Sequence, residues 1–441
     1  MSKIENQTLV PELRFPEFQN EGSWKIKLLG ECLLGKPEYG INAPAVPYSH
    51  ELPTYLRITD ILENGQISQD KKVSVERDVI AKNYLDVGDI VLARTGASVG
   101  KSYKYREKDG KLVFAGFLIR IKPDERKLNS ELLFQYLFTE QYWKWVSVNS
   151  ARSGQPGING NEYSLLSIPL PTKIEEQQKV ADCLSSMDDL IATSTKKLES
   201  LKLHKKGLMQ KLFPEEGKSI PEFGFACNVK WIKKTFEEVY CLKATNSLSR
   251  DKLNYDEGLV KNIHYGDIHT KFSTLFDITK EYVPFISEEI SLDKIKQESY
   301  CQEGDMVFAD ASEDIDDVGK SIELININGE KLLSGLHTIL ARQKENYLVK
   351  GFGGYLFKSE VMRKKIQKES QGAKVLGISS GRISKIDVIY PIEQSEQQRI
   401  VDCLSSLDKL IDAQTKKIEV LNKYKKGLMQ KLFPEIKESI A

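Results

Sequence analysis

The sequence is poor in the features that mark most secreted, membrane and metal-binding proteins. Six of its 441 residues are cysteine, with no Cys-x-x-Cys spacing, and five are histidine. This usage predicts reduced thiols rather than disulfides or a cysteine-rich zinc site. The first residues form no apolar signal region and no apolar run reaches about 18 residues, so a cytoplasmic protein without a membrane span is expected. The net charge of +1 neither favours nor excludes nucleic acid, because a basic face can be offset elsewhere.

A phosphate-binding loop is also missing, although one segment comes close to it. Gly96–Ser102 resembles a P-loop, but that motif requires glycine where Thr95 stands. The second copy of this stretch has Asp314 there, and its carboxylate would repel phosphate. The segment is a tight glycine turn between strands, or a loop that presents Thr95, Ser98 and Lys101 to a DNA backbone. The two interpretations are compatible.

The remaining catalytic chemistries find no support. The Asp/Asn-Pro-Pro-aromatic tetrapeptide of amino-methyltransferases does not occur. His264 and His269 flank Asp267 and could suggest a metal, but a strand with two polar edges accounts for them better. His337 is isolated in the sequence. We therefore expect no catalytic residues and no metal site.

What the sequence does contain is a long internal repeat. Pro171–Glu215 recurs as Pro391–Glu435 at a constant offset of 220 residues, with 28 of the 45 positions identical. The part of it from Lys205 to Glu215 recurs without a change. A repeat with this spacing is too long for a solenoid unit. It indicates two half-proteins joined in one chain.

Each copy of the repeat has the apolar spacing of one long helix. Apolar residues alternate at steps of four and three, and polar side chains fill two steps in each copy, Ser194 and Lys205 in the first and Gln414 and Lys425 in the second. This period is typical of a coiled coil, and the best partner for each helix is its own copy.

Local signals place the ends of these helices. Thr172 with Glu175, and Ser395 with Gln398, form capping patterns that put the two helix starts about a turn apart. Pro214 ends the first helix, and the corresponding proline ends the second.

The whole chain then reads as an α+β fold with an internal pseudo-two-fold repeat. Two mixed α/β domains are separated by two long helices, and each helix is expected to pair with its own copy in a coiled coil. Short runs at 55–61 and 263–268 predict strands in the two domains. The expected segments are a lead (1–21), a first mixed domain (22–172), a central helix (173–214), a second mixed domain (215–392), a C-terminal helix (393–435) and a tail (436–441).

The two mixed domains share scaffold positions but differ where they could contact a ligand. Gly100 recurs as Gly319 within matching turn-and-strand patterns. Arg94 begins a short polar loop, whereas its counterpart Asp310 begins a longer acidic insert, 311–317. A chain of this kind would bind one type of partner twice and read two different targets.

Cationic, amide and aromatic side chains in turn-rich segments are candidates for contact with DNA, since such groups pair with base edges and phosphates. In the first half the candidates are Tyr39, Arg57, Thr59, Arg94, Thr95, Ser98, Lys101, Tyr103, Arg152 and Gln155. In the second half they are His264, His269, Lys271, Lys320, Lys374 and Arg382. Taken singly, each is more often a solvated surface residue than a base reader.

Several segments in combination resemble the specificity subunit of bacterial type I restriction–modification systems, over nearly the whole chain. The resemblance rests on 13–18 (LRFPEF), 36–44 (KPEYGINAP), 56–61 (LRITDI), 93–101 (ARTGASVGK) and the Glu-Gln-Gln triplets at the starts of the twin helices. It implies that the two long helices pack as an antiparallel coiled coil between two target-recognition domains. It also implies a non-catalytic subunit in which each of these domains reads one half of a split sequence in double-stranded DNA.

The resemblance also implies a set of partners. Two methyltransferase subunits would bind the helices, and motor-nuclease subunits would join them. Candidate contacts for the methyltransferase subunits are Glu176, Gln177, Gln178, Glu396, Gln397 and Gln398. S-adenosylmethionine, ATP and Mg would belong to the partners, and none to this chain. The acidic stretch 310–317 departs from the family pattern and leaves open how the second domain holds DNA. The alternatives are a stand-alone DNA-binding regulator and a self-sufficient restriction or methylation enzyme.

Overall fold

The computed structural model describes residues 9–68, 70–152, 154–226, 229–372 and 375–436. The chain divides into two compact units. Unit 1 is drawn from Met1–Thr195 and Lys416–Ala441, and unit 2 from Lys196–Thr415. Each unit therefore combines one mixed domain with parts of both long helices. No helix in the described ranges is both long and apolar enough to cross a membrane.

Unit 1 is built from short strands and helices that precede the first long helix. Its strands are β1 (Lys25–Leu28), β2 (Glu38–Tyr39), β3 (Val46–Pro47), β4 (Thr54–Leu56), β5 (Val73–Ser74), β6 (Ile90–Ala93), β7 (Ser102–Lys104), β8 (Leu112–Phe114), β9 (Leu118–Ile121) and β10 (Ser167–Leu170). Its helices are α1 (Ser130–Tyr136), α2 (Glu140–Asn149), α3 (Gly160–Ser164) and the first part of α4 (Ile174–Leu212). The strands form sheets in the orders β2-β9-β6-β7 and β3-β5-β4-β8, and a β1-β10 pair.

Strand β6 is apolar at every position because both of its faces are covered. Ile90 and Leu92 pack into a core with α1 and α2, whereas Val91 and Ala93 pack into a second core with β4 and β8. Neighbouring side chains on a strand point to opposite faces, so a continuous apolar run fits a strand between two cores. The next residue, Arg94, is where the chain leaves this buried position.

Unit 2 repeats this plan with longer strands. Its strands are β11 (Trp231–Thr235), β12 (Tyr240–Lys243), β13 (Leu253–Asn254), β14 (Lys261–Ile263), β15 (Leu275–Asp277), β16 (Phe285–Ile286), β17 (Met306–Ala309), β18 (Ala311–Ser312), β19 (Ser321–Asn326), β20 (Leu332–Ser334), β21 (Thr338–Gln343), β22 (Leu376–Gly377) and β23 (Asp387–Pro391). Its helices are α5 (Phe236–Val239), α6 (Tyr265–Thr270), α7 (Phe352–Lys358), α8 (Glu360–Glu369), α9 (Ser380–Ile383) and the first part of α10 (Gln394–Leu432). The sheet orders are β12-β21-β17-β19-β15 and β13-β16-β14-β20, with pairs β11-β23 and β18-β22.

The two long helices are antiparallel, as predicted. In unit 1, Val180 and Leu184 near the start of α4 share a core with Leu432 and Phe433 at the end of α10. The residues 220 positions away from each of these share the corresponding core in unit 2. Each unit thus pairs the beginning of one helix with the end of the other. The α+β fold with a pseudo-two-fold repeat and an antiparallel coiled coil is confirmed.

A carboxylate on each long helix joins the helix pair to the adjacent domain. Asp188 accepts hydrogen bonds from Lys425 Nζ of α10 at 2.6 Å and from Gln135 Nε2 of α1 at 2.8 Å. Asp408 makes the same kind of contacts in unit 2, with Lys205 Nζ at 2.5 Å and a tyrosine hydroxyl at 2.7 Å. The lysines that interrupt the predicted apolar seam therefore tie helix to helix and helix to domain.

The capping patterns do not mark the helix starts. α4 begins at Ile174 and α10 at Gln394, which are equivalent positions, so Thr172 lies before its helix and Ser395 inside its own. In each copy a buried glutamine side chain donates to the carbonyl of the proline before the helix, from Gln177 Nε2 at 3.2 Å in the first copy. This shared contact fixes the same start in both, because it satisfies a carbonyl that would otherwise be buried without a partner.

The segments predicted as strands at 55–61 and 263–268 each turn into a helix part-way. β4 gives way to a 3-10 turn and β14 to α6. The Asp60 carboxylate accepts from the Arg57 backbone N–H at 2.8 Å, and His264 Nδ1 accepts from a backbone N–H of α6 at 3.1 Å. These side-chain caps satisfy backbone donors locally and compete with continued strand pairing. The polar residues of both segments therefore lie on turns, not along strand edges.

Candidate nucleic-acid interface

Arg94 lies at the carboxyl end of β6, held by its backbone and by an aromatic ring. Its N–H donates to the Phe117 carbonyl at 3.0 Å, and its carbonyl accepts from the Ile158 N–H at 2.9 Å. Its guanidinium lies over the Tyr39 ring, 4.9 Å from the centroid. The Tyr39 hydroxyl is fixed in turn by the Gly160 N–H at 3.0 Å. Arg94 Nε is buried and makes no hydrogen bond within the described part of the chain, whereas the residue as a whole is partly exposed.

A glycine turn brings other candidates next to Arg94. Gly96 has φ +69° and donates its N–H to the Pro156 carbonyl at 2.9 Å. The positive φ favours glycine here, because a side chain at this backbone conformation is strained. Thr95 forms a β-bridge with Gly157. The loop from Arg94 to Ser98 and the loop around Gln155 therefore form one surface, which gathers Tyr39, Arg94, Thr95, Ser98 and Gln155.

Other candidates in unit 1 are already paired with carboxylates. Lys101 Nζ lies 2.7 Å from Glu63 Oε1, and Arg152 Nη2 lies 2.5 Å from Glu162 Oε1. Both pairs are at least partly exposed, and such pairs exchange partners at little cost.

Arg57 and Thr59 lie on a different turn, the one that follows β4. Arg57 Nε and Nη2 both donate to the Asp60 carboxylate, at 3.0 and 2.7 Å. This hydrogen bonding raises the pKa of Arg57 and holds its guanidinium against the turn. Thr59 is exposed beside it. Arg57 thus has a structural role that its residue type did not reveal.

Tyr103 is wrong as a candidate. Its side chain is fully buried in β7, and its hydroxyl donates to Asp109 Oδ2 at 2.8 Å. Burial raises the pKa of Tyr103 well above its usual range. A tyrosine that points into a core packs like an apolar residue, and its sequence position near lysines carried no information about this.

Asp310 occupies in unit 2 the position that Arg94 occupies in unit 1. Its N–H donates to the His337 carbonyl at 3.0 Å, and its carbonyl accepts from the Ile378 N–H at 2.8 Å. These contacts match those of Arg94 one for one. The side chain differs in charge, and Asp310 Oδ1 lies 3.2 Å from His337 Nδ1. Burial raises the pKa of Asp310, although the histidine opposes this.

Three of the five histidines gather around Tyr265. Ring centroids of His264, His269 and His337 lie 4.6, 6.0 and 5.4 Å from that of Tyr265. Reading His337 as isolated was therefore wrong, because the fold brings the turn before β21 to α6. Among the described residues, no group of His, Cys, Asp and Glu has the arrangement to hold a metal ion.

Two cations of unit 2 are held close to this cluster by one buried aspartate. Lys271 Nζ and Arg250 Nη2 lie 2.9 and 3.0 Å from Oδ1 of the buried Asp267. Lys271 also lies over the Tyr255 ring, which stacks on the exposed Tyr282 at 4.5 Å. The sequence analysis did not select Arg250, Tyr255 and Tyr282. The signal available in the sequence was a pair of tyrosines on either side of Lys271.

The other second-half candidates are placed less favourably. Lys320 forms an ion pair with Asp317, and Arg382 donates to the Glu369 carbonyl at 3.1 Å. His269 Nε2 lies 3.1 Å from the Ala311 carbonyl. Lys374 lies outside the described residues.

Most of the predicted partner contacts on the helices are wrong, because they are buried in this chain. Glu176 accepts from Arg14 Nε at 2.8 Å and from Trp24 Nε1 at 3.0 Å. Gln177 accepts the Asn129 N–H at 2.9 Å and donates to backbone carbonyls. Both side chains are internal anchors between α4 and its domain, and they have no free surface for a partner.

The second triplet behaves in the same way. Glu396 accepts the Phe225 N–H at 2.6 Å, and Gln397 accepts the Val349 N–H at 2.8 Å. Both are buried. Gln178 and Gln398, one position further on, are exposed and remain available. Neighbouring residues of a helix point in different directions because one turn takes 3.6 residues, so one glutamine is buried and the next is exposed. The sequence alone did not indicate which face of the helix the domain covers.

A groove recurs at the end of each long helix. In unit 1 it has a volume of about 590 Å³ and is lined by Met429, Phe433 and Pro434, with Trp143 of α2 on its other side. In unit 2 the residues equivalent to these three from α10 line a groove of about 460 Å³ against α8. The stretch that recurs unchanged in the sequence is thus the one that lines both grooves.

Comparison with known proteins gives a consistent result. The family described as the type I restriction modification DNA specificity domain matches residues 53–203 and 228–423. The MjaVIII specificity subunit of a type I restriction enzyme from Methanocaldococcus jannaschii is 26% identical over 438 residues, covering 98% of this chain and 95% of that protein.

Solved structures share the fold. The S subunit of a type I restriction–modification system from M. genitalium has a TM-score of 0.60 at 14% identity, with 97% of this chain and all of that chain covered. A chain from a structural study of complex assembly and conformational transition in the type I system has a TM-score of 0.54 at 16% identity, with 94% and 98% covered.

Proposed function

Because the chain belongs to the family of type I restriction–modification specificity subunits, we propose that it reads a split DNA target, with one half-site for each unit. The observation that carries this proposal is the equivalence of Arg94 and Asp310. They hold the same backbone position in two copies of one fold but present opposite charges. A protein that read one sequence twice would keep one side chain there, whereas a protein that reads two sequences would change it.

In unit 1, we propose that Arg94 supplies a base contact. Tyr39 supports one face of its guanidinium, which leaves N–H groups to donate to guanine O6 and N7. The hydroxyls of Thr95 and Ser98 and the Gln155 amide share this surface and suit contacts with phosphates and bases. A bidentate contact of this type contributes about 1 to 3 kcal/mol of discrimination against the wrong base.

The phosphate contacts in this proposal come from cations that now face carboxylates. Lys101, Arg152, Lys271 and Lys320 each have such a partner. Phosphates would replace these carboxylates in a complex, and counterions released from DNA would drive the exchange. Binding should therefore weaken steeply as salt is raised.

The repeated groove supports the partner proposal. Two methyltransferase subunits would each dock on the surface that includes one groove, since both grooves are lined by the same eleven-residue stretch. Motor-nuclease subunits would join this assembly. S-adenosylmethionine, ATP and Mg would act on those partners, and this chain would contribute recognition without catalytic residues.

An exchange experiment tests the split reading. The full chain is produced with its methyltransferase partner, and the methylated sequences are mapped across a genome. Replacing residues 22–170 with the matching segment of a relative should change one half of the methylated sequence and leave the other intact. The matched control replaces 231–391 and should change only the other half. Changes in both halves from either exchange, or a target with no split, would contradict the proposal.

A further inference from the structure

Asp310 and His337 stand in unit 2 where Arg94 and Phe117 stand in unit 1. The N–H of the first residue donates to the carbonyl of the second at 3.0 Å in both units. The Asp310 side chain is 31% exposed and that of His337 is 50% exposed. Both groups are therefore within reach of a ligand on the surface that corresponds to the Arg94 surface.

The pair presents a carboxylate where unit 1 presents a guanidinium. Asp310 Oδ1 lies 3.2 Å from His337 Nδ1, which holds the two side chains together. A carboxylate can only accept hydrogen bonds, whereas a guanidinium can only donate them. Asp310 therefore offers acceptors at the position where Arg94 offers donors.

Two features of the fold hold this arrangement. His337 has φ +55°, a left-handed conformation that is uncommon for histidine, and the Asp310 N–H bonds its carbonyl. The Tyr265 ring packs edge-on against the imidazole at 5.4 Å. Lys271 directly follows the neighbouring α6, and Arg250 lies on the turn before β13. Both would offset repulsion between a carboxylate and DNA phosphates.

Two bases offer a donor in the major groove, cytosine through N4 and adenine through N6. Adenine is read through N6 and N7 together, which requires a donor beside the acceptor, and the Asp310 carboxylate has no donor. Cytosine is read through N4, for which a carboxylate acceptor is sufficient. We propose that Asp310, positioned by His337, reads the amino group of a cytosine in the second half-site. This assignment rests on the proposed function and adds a base and a residue to it.

The test compares single substitutions in the full chain assembled with its methyltransferase partner. Asp310→Asn keeps the size of the side chain but replaces one acceptor by a donor. His337→Asn removes the imidazole and keeps a residue that tolerates positive φ. Arg94→Gln serves as the matched control in unit 1. Methylated motifs are mapped, and binding is measured to duplexes that carry each base at every position of both half-sites.

Wild type should require cytosine at one position of the second half-site. Asp310→Asn should reduce the preference for that base about 10-fold to 100-fold and leave the first half-site unchanged. His337→Asn should reduce the same preference by a smaller factor, and Arg94→Gln should act on the first half-site alone.

Several results would overturn the assignment. Retained cytosine preference in Asp310→Asn would do so, as would a wild-type second half-site with adenine at the position that responds. If wild type reads no split sequence at all, the proposed function fails, and this result is distinct because it requires no variant.

Discussion

Glu176 and Glu396 allow a quantitative test of how the long helices hold their domains. They are equivalent positions 220 residues apart, and both carboxylates are buried. Glu176 accepts two hydrogen bonds from the buried Arg14 guanidinium and one from the indole of Trp24. In the second copy Gly224 stands where Arg14 does, and Glu396 accepts one backbone N–H while its Oε2 makes no hydrogen bond among the described residues.

The expected costs differ because the groups left behind differ. Glu176→Ala leaves a buried guanidinium and an indole N–H without their shared acceptor. Removing one member of a buried ion pair costs about 3 to 5 kcal/mol. The low end applies here, since Arg14 keeps the carbonyls of Glu21 and Gly22 as acceptors at 2.7 and 3.0 Å. Glu396→Ala loses a single hydrogen bond, which contributes about 1.5 to 3 kcal/mol of stability when one partner is charged. The substitution also removes the buried Oε2, which had no partner, and this offsets part of the loss.

Amide hydrogen exchange resolved by peptide measures the two units separately. Glu176→Ala should speed exchange in β1 and β10 about 100-fold, because each 1.36 kcal/mol is a factor of ten. Glu396→Ala should speed exchange in β11 and β23 by about 10-fold or less. Equal effects at the two sites would refute the reasoning, because they would show that the Arg14 pair adds nothing to the helix anchor.

Three further predictions concern binding, pH and assembly. Arg94→Ala should weaken binding at the first half-site by about 1 to 3 kcal/mol in a titration with duplex DNA, whereas Arg126→Ala, an exposed arginine paired only with a neighbouring aspartate, should not. Burial lowers the pKa of His264, so below about pH 6.5 the unfolded chain binds more protons than the folded chain and unit 2 loses stability as pH falls. His264→Asn, which can still cap α6, should flatten this pH dependence in urea unfolding. An unchanged slope of stability against pH would exclude the histidine as its source. Gln430→Trp or Gln210→Trp fills one groove and should reduce the bound methyltransferase from two copies to one in sedimentation analysis. The double variant should bind none. Two copies bound to the double variant would show that the docking surface is not at the grooves.

The long helices were predictable because their information is local and repeated. Alternating apolar steps predict a coiled-coil helix, and the repeated segment supplies a partner of the same kind. The antiparallel orientation was implied by the family resemblance. Their starts were not predictable, because each is marked by a glutamine side chain that donates back to the carbonyl of a proline before the helix. The capping patterns at Thr172 and Ser395 do not predict this contact.

The candidate site was only partly readable for a related reason. Arg94 could be chosen by residue type, since a cation after a buried apolar run must leave the core. Tyr103, Glu176 and Gln177 could not be judged, because burial depends on which faces the neighbouring elements cover. His337 was passed over, since its partners Tyr265 and Asp310 are far away in sequence.

By itself, then, the sequence determined the duplication, the helix pair and the family, because periodicity and repeated segments survive without knowledge of the fold. The tertiary structure alone decided that His337 lies beside Asp310 and Tyr265. Asp310 donates its backbone N–H to the His337 carbonyl, twenty-seven positions further along the chain, as Arg94 does to Phe117. Contacts between distant segments follow from sheet register and packing, and those depend on the whole core at once.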